Sequence, residues 1–340
     1  MTPPAAPLIE LHYLGRTWRM GGPVQPGPAA MRDSDIQVSS TAIGTALTRA
    51  AHTRLDHDPL IDDAWGDRLV PAFARANSRS LAAATVAARG GSALAMEHQS
   101  ALDHMLRAAP GYTNIILRTR YTEDLLREAA VRGTRQYVIL GAGFDSFALR
   151  RPPFAQHVAV FEIDRPPTQA LKRQGIAEAG LSVPESLHLI AADLAKDDLA
   201  AVLARTPYRF DQPVFFAWLG VSMFLSRETN LASLRAIAGC SAPGSELVFT
   251  YFDDRIFYLQ AEEFRRMQDS VRSVGEPFLS GFDPNRLAED LRQVGFDLLE
   301  DLDEAQLVAR YSRTGWPFMA PLANSRIAFA RRNLTVGESG

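Results

Sequence analysis

From Gln136 onward, short apolar runs alternate with stretches of helical periodicity, and few architectures tolerate that alternation. The runs are QYVILG, HVAVFEID, LHLIAAD, PVFFAWL and SELVFTYF. Between them lie PPTQALKRQGIAEAG, AKDDLAAVLAR and SRETNLASLRAIAGC, whose apolar residues recur at helical spacing. Such repetition requires right-handed crossovers and a parallel sheet. Runs that are apolar at nearly every position suit strands buried on both faces. Further helices are expected at about 256–273 and 283–294, the second opened by Asp283 as N-cap with Pro284 at the first helical position. FDLLEDL and NSRIAFARR add two strands as an antiparallel edge hairpin. The fold class expected is α/β, a doubly wound, mostly parallel seven-stranded sheet.

Upstream the pattern is helical. VSSTAIGTALTRAA, from Val38 to about Ala51, predicts an amphipathic helix with Ser39, Ser40 and Thr41 near its start. DHDPLIDDAWGDRLV reads as a turn followed by a helix, and residues 80–109 are alanine-rich and helical. Residues 31–120 are therefore expected to form an N-terminal helical cap on a domain at 121–333. Residues 1–30 are rich in Pro and Gly and read as a flexible arm, and Met31, immediately after it, reads as an alternative start.

Composition narrows the partners. A net charge of −3, with no stripe of Lys and Arg, argues against nucleic acid. No apolar run approaches the ~18 residues needed to span a bilayer, and no signal pattern opens the chain. The expectation is a cytoplasmic protein without a membrane or metal partner, and the reading admits a homodimer. The single cysteine, Cys240, precludes an internal disulfide and reads as a small buried apolar residue.

The first run breaks into Gly141-Ala142-Gly143, at the end of a strand beside the expected switch point, where open α/β sheets bind ligands. Glycines there let the chain turn sharply and let a ligand approach the backbone. A dinucleotide fold would want a third Gly or Ala to cradle a pyrophosphate, but that position holds Ser146. Asp164 ends the second run, where a carboxylate can accept both hydroxyls of a ribose. Asp193 ends the third, placed to meet an adenine amino group with Leu194 beside the ring. A ribose and an adenine without a pyrophosphate point to S-adenosyl-L-methionine (SAM) rather than a nicotinamide dinucleotide.

The run RTRYTEDLLREAAVRGTRQYVILGAGFDSFALR, followed by VFEIDRPPTQALK, resembles the leucine carboxyl methyltransferase family, in particular its bacterial branch of SAM-dependent methyltransferases, which includes polyketide O-methyltransferases. The resemblance continues through AADL, FFAWLGVSMFL, SAPGSELVFTYF and FDPNRLAEDLRQVGF, and covers roughly residues 38–330. It implies a class I, Rossmann-like methyltransferase fold and an O-methyltransferase acting on a carboxylate or hydroxyl of a small molecule, in secondary metabolism. The alternatives are a nicotinamide-dependent oxidoreductase and a non-catalytic cofactor-binding partner protein. The resemblance also implies that Arg118, with Arg120 as the nearby alternative, pairs with the methionine carboxylate. It assigns Gly141 and Gly143 to the turn, Asp164 to the ribose, and Asp193 with Leu194 to the adenine. Asp145 either bonds the cofactor's amino group or caps the next helix. Where eukaryotic leucine-methylating members carry an acidic residue after the fourth strand, this chain has Leu219.

A carboxylate acceptor needs no base, whereas a phenol or alcohol calls for one such as His. The histidines are scattered, and only His98 and His104 precede Arg118 in a segment that could face the acceptor, so no catalytic base is assigned. The acceptor pocket is expected from the cap and from Tyr251, Phe252, Phe257 and Tyr258, with Trp218 and Met223 near the methyl. Trp316-Pro317-Phe318 is a candidate flap over the site.

Overall fold

The structure is a computed structural model, described here for residues 9–13, 16–20, 39–88, 98–259, 262–273, 275–312 and 320–333. Within the N-terminal arm, β1 (Ile9–Tyr13) and β2 (Arg16–Met20) pair as an antiparallel hairpin. The Trp316-Pro317-Phe318 segment lies outside the described residues.

All seven anticipated strands are present: β3 (Gln136–Leu140), β4 (Ala159–Asp164), β5 (Leu187–Ala191), β6 (Phe215–Trp218), β7 (Glu246–Phe252), β8 (Phe296–Asp303) and β9 (Ser325–Arg332). They form one sheet in the order β5-β4-β3-β6-β7-β9-β8. The first five run parallel, while β9 pairs antiparallel with both β7 and β8. Every residue of β3, β6 and β7 is buried. The strand period of two sends Tyr137, Ile139, Phe215 and Ala217 into one apolar core, and Val138, Leu140, Phe216 and Trp218 into another on the opposite face.

Helices cover both faces, as a doubly wound sheet requires. On the first, α5 (Tyr112–Val131) contributes Ile116, Leu117 and Leu126, and α12 (Glu304–Tyr311) contributes Leu307. On the second lie α8 (Leu199–Leu203), α9 (Arg227–Gly239) and α11 (Leu287–Gln293). The helices α6 (Phe147–Arg150) and α7 (Pro166–Glu178) follow β3 and β4, and α10 (Glu262–Ser273) follows β7.

The segment before α5 folds as α1 (Ser40–Leu55), α2 (Gly66–Leu69), α3 (Ala72–Ala88) and α4 (His98–Arg107). Ser39 caps α1 by accepting the Ala42 amide at 3.1 Å. Ile43, Leu47, Leu69, Leu102 and Leu106 share a core with Phe144 and with Leu171 and Ile176 of α7. A Cβ on Gly175 of α7 would lie 1.7 Å from the Leu69 carbonyl oxygen, so glycine there lets α2 seat directly on α7.

Two helix boundaries differ from expectation. The Asp283 carboxylate accepts the Asn285 amide at 2.9 Å, closing a turn on itself, and α11 begins only at Leu287. The helix expected over 256–273 divides into a short 3₁₀ turn, Asp254–Phe257, and α10. The Asp253 carboxylate caps the start of that turn through the Arg255 amide.

Candidate functional site

The strand order reverses on either side of β3, which pairs with β4 on one side and β6 on the other. Beyond the carboxyl ends of these strands lies a cavity of ≈1710 Å³. Arg118, Gly141, Gly143, Asp145, Asp164, Asp193 and Leu194 all line it. The cavity also reaches α1, α9, and α10 with the segment after it.

The turn after β3 is built from backbone. The amides of Gly141 and Ala142 both donate to the Ile163 carbonyl, at 2.9 and 3.1 Å, and pin the turn to the end of β4. Gly141 and Gly143 take φ of 70° and 54°, where a side chain is strained. A Cβ on Gly141 would meet Val221 Cγ2 at 2.4 Å, and one on Gly143 would meet Ala42 Cβ at 3.0 Å. The glycines thus admit both the loop after β6 and the cap helix α1.

Asp164 holds this turn from below. Its Oδ2 accepts the Gly143 amide at 2.6 Å and its Oδ1 accepts the Arg165 amide at 2.7 Å. A carboxylate has about four lone-pair sites, so one remains on each oxygen for ribose hydroxyls. Burial pushes the Asp164 carboxyl above its usual range, against the pull of those two amides. Asp193 accepts the Ala195 amide at 3.1 Å and pairs with Lys196 at 3.1 Å, with Leu194 packed beside it on the core. Asp145 does cap the following turn, through the Phe147 amide at 2.8 Å, while lining the cavity as well.

The two candidate arginines separate. Arg120 is engaged elsewhere, with Asp124 at 2.9 Å and the Leu60 carbonyl at 3.0 Å, and is not part of the cavity wall. Arg118 lines the cavity and makes no ion pair among the described residues. Its one hydrogen bond there is from Nη1 to Asn114 Oδ1 at 3.1 Å. Burial, followed by repulsion from Arg49, lowers its pKa to about 10. Arg118 is half-buried and faces the cavity with no carboxylate among the described residues on its donors, an arrangement suited to an incoming carboxylate.

These features fit SAM. Its carboxylate, ammonium, ribose hydroxyls and adenine match in chemistry what Arg118, Asp145, Asp164, and Asp193 with Leu194 would offer along one cavity wall. The glycine turn leaves its backbone open to close approach.

Other parts of the site were not anticipated from sequence. Arg49 of α1 donates to Asp63 at 2.7 Å and to the Phe144 carbonyl at 2.9 Å. Asp63, fully buried, also accepts Ser146 Oγ at 2.6 Å. Burial alone would raise the Asp63 carboxyl, but Arg49 and Arg150 beside it hold it below its usual range. Ser146, at the third-glycine position, is therefore a strut between cap and turn. No local signal marks Arg49 or Asp63, since each matters only once α1 lies across the turn.

The residues expected around the acceptor are only partly brought to the cavity. His98 and His104 are exposed on α4 and do not line the cavity. Tyr251 is a core residue whose hydroxyl donates to Asp301 at 2.9 Å, and Tyr258 is 81% exposed. Phe257 packs at the edge of an aromatic cluster away from the cavity wall. Phe252, Trp218 and Met223 do line the cavity, joined by Phe278 and Leu322. Leu219, in the place of the family's acidic residue, lines it too.

The sheet order and the helices on both its faces define a class I, Rossmann-like methyltransferase fold. The leucine carboxyl methyltransferase family model matches residues 42–238, and the chain belongs to that family. It is 31% identical over 270 residues to a provisionally named SAM-dependent methyltransferase of Mycolicibacterium smegmatis, covering 78% of this chain and 85% of that protein. It is 33% identical over 189 residues to the provisionally named SAM-dependent methyltransferase YktD of Bacillus subtilis, covering 55% of this chain and 62% of YktD. Thus the matched region spans less than two thirds of YktD. Among solved structures, the fold resembles that of a provisionally named methyltransferase from Thermobifida fusca, with a TM-score of 0.50, 20% identity, and coverage of 74% of this chain and 94% of that one.

Proposed function

We propose that this protein is an O-methyltransferase that moves the methyl group of SAM to a carboxylate or hydroxyl of a small, largely apolar molecule in secondary metabolism. The observation that carries the reading is one cavity with two chemistries. Its polar end holds Arg118, Asp145, Asp164 and Asp193. Its other end is walled by Met223, Phe252, Phe278 and Leu322. Drug-sized ligands occupy pockets of about 300–1,000 Å³, so a cavity of ≈1710 Å³ accommodates a cofactor and an acceptor together. On this reading residues 31–120 cap the site, residues 121–333 bind the cofactor, and the enzyme works in the cytoplasm without a nucleic-acid partner.

SAM supplies an activated methyl on a sulfonium, so the chain's own task is placement and exclusion of water. Arg118 anchors the carboxylate end, Asp164 fixes the ribose, and the Gly141–Gly143 turn sets the depth of binding. Trp218 and Leu219 at the end of β6, with Met223 beyond, present an apolar wall to the acceptor. No histidine lines the cavity among the described residues, which favours an acceptor oxygen already ionised at neutral pH. With the family assigned, the nicotinamide alternative lapses.

The test is calorimetric titration with SAM, then a labelled-methyl transfer screen over apolar carboxylic acids and phenols. Base-labile label marks an ester and base-stable label an ether. Transfer only to amines, or to polar acceptors alone, would overturn the reading. Tight cofactor binding with no transfer across the panel would favour a non-catalytic partner protein.

A further inference from the structure

We propose that Asn114 is a positioning residue for the cofactor, holding the Arg118 guanidinium in place without neutralising it. This rests on the reading that Arg118 takes the cofactor's carboxylate.

Asn114 and Arg118 lie one turn apart on α5 and face the same cavity. The Asn114 amide is clamped from behind. Its Nδ2 donates to Glu304 Oε2 at 3.0 Å and to Ser325 Oγ at 2.7 Å. Glu304 opens α12 and Ser325 opens β9, and they are 1% and 3% exposed. Both amide protons are thereby committed, which leaves Oδ1 to accept from Arg118 Nη1 at 3.1 Å. The reverse orientation would set the amide oxygen against a carboxylate and the NH₂ against a guanidinium. The guanidinium has donors only, so the NH₂ set against it would repel whatever the charge on Glu304, and a single orientation is selected.

Gly220 supports the guanidinium as well. A Cβ there would lie 2.8 Å from both Nη1 and Nη2 of Arg118, so the group rests directly on bare backbone. Gly220 is itself fixed, its amide donating to Thr250 Oγ1 at 2.7 Å. Arg118 thus loses rotamer freedom before any ligand arrives, which is preorganisation. An aspartate at position 114 would hold it equally well but would compete with the incoming carboxylate. A neutral amide supplies the geometry and leaves the charge available. Glu304 sits behind the amide, where it attracts the cation without occupying its donors.

The experiment titrates S-adenosylhomocysteine, which carries the carboxylate, and 5′-methylthioadenosine, which lacks the whole amino-acid end. Asn114→Leu should weaken S-adenosylhomocysteine about tenfold while changing 5′-methylthioadenosine by less than about twofold, the size of a lost hydrogen bond to a charged group. Asn114→Asp should show the same selectivity. In an Arg118→Met background, Asn114→Leu should add nothing further, because its effect passes through the guanidinium. Ser325→Ala, the milder change, should give a smaller selective loss and covers the case where Asn114→Leu does not fold. Equal weakening of both ligands, or full additivity with Arg118→Met, would overturn the proposal and leave Asn114 a packing residue. If Arg118→Met loses affinity for S-adenosylhomocysteine selectively but Asn114→Leu and Ser325→Ala do not, the proposal alone falls. If Arg118→Met leaves the ratio of the two affinities unchanged, the reading of Arg118 falls first and takes the proposal with it.

Discussion

Asp164 Oδ2 accepts the Gly143 amide at 2.6 Å, so the carboxylate assigned to the ribose also fixes the turn beside it. On the proposed reading, cofactor binding and turn geometry are therefore one feature. Asp164→Ala removes the acceptor of two backbone amides, those of Gly143 and Arg165. Expected is a loss of SAM affinity of about a hundredfold or more, with a stability cost of about 1–3 kcal/mol for the part-buried Gly143 amide. Calorimetry and thermal melting of one preparation test both halves. A variant that keeps its affinity would separate the turn from the ribose site.

Gly220→Ala tests the floor under Arg118. Gly220 has φ of 70°, and the new methyl would press on the guanidinium nitrogens at 2.8 Å. The strain costs about 1–2 kcal/mol, while displacement of Arg118 should weaken SAM by about tenfold or more. Titration against a melting curve distinguishes the two effects, since a purely conformational cost would lower the melting temperature and leave affinity intact.

The parts of this site that sequence reading reached are those whose signal is local. Gly141, Gly143, Asp164 and Asp193 each sit at the end of an apolar run, and FFAW or SELVFTYF can be little else than strands buried on both faces. The α11 boundary was misjudged because Asp283-Pro284 has the composition of a helix start, whereas the Asp283 side chain bonds Asn285 instead. Arg49, Asp63 and Glu304 were illegible for a different reason. Glu304 meets Asn114 across 190 positions, and Arg49 reaches Phe144 across 95. Only the packed fold brings such pairs together. Tyr258 and the cap histidines show the converse: aromatic and titratable residues near a motif in sequence need not face it in space.

Lys172 and Glu162 form an ion pair in which both side chains are essentially without solvent exposure. Lys172 Nζ also donates to the Asp145 carbonyl at 2.6 Å and so steadies the turn that lines the cavity. Lys172→Met leaves the Glu162 carboxylate buried and alone, and should cost about 3–5 kcal/mol. Adding Glu162→Leu removes the stranded charge and should restore most of that loss. Chemical denaturation of the single and double variants measures it, and a double variant no more stable than the single would refute the account.

Glu304 carries a pH dependence whose sign follows from its burial. Burial raises its carboxyl from the ordinary 4.5 to about 7, against the hydrogen bonds from Asn114 and the attraction of Arg118. The native state therefore binds its proton more tightly than the unfolded chain does. The stability this contributes is fully present below about pH 4.5 and is lost as pH rises through about 7. Its size is on the order of 3 kcal/mol at most. Glu304→Gln mimics the protonated form and keeps an oxygen for the Asn114 amide, so it should be insensitive to this titration. Measured without cofactor, the stability of Glu304→Gln relative to the unaltered protein should climb between about pH 5 and 8 and then level off. In melting temperature the gain should reach several degrees. Parallel stability curves across that window would show that Glu304 is ionised in the folded protein throughout. Arg118 would then hold a full counter-charge behind Asn114.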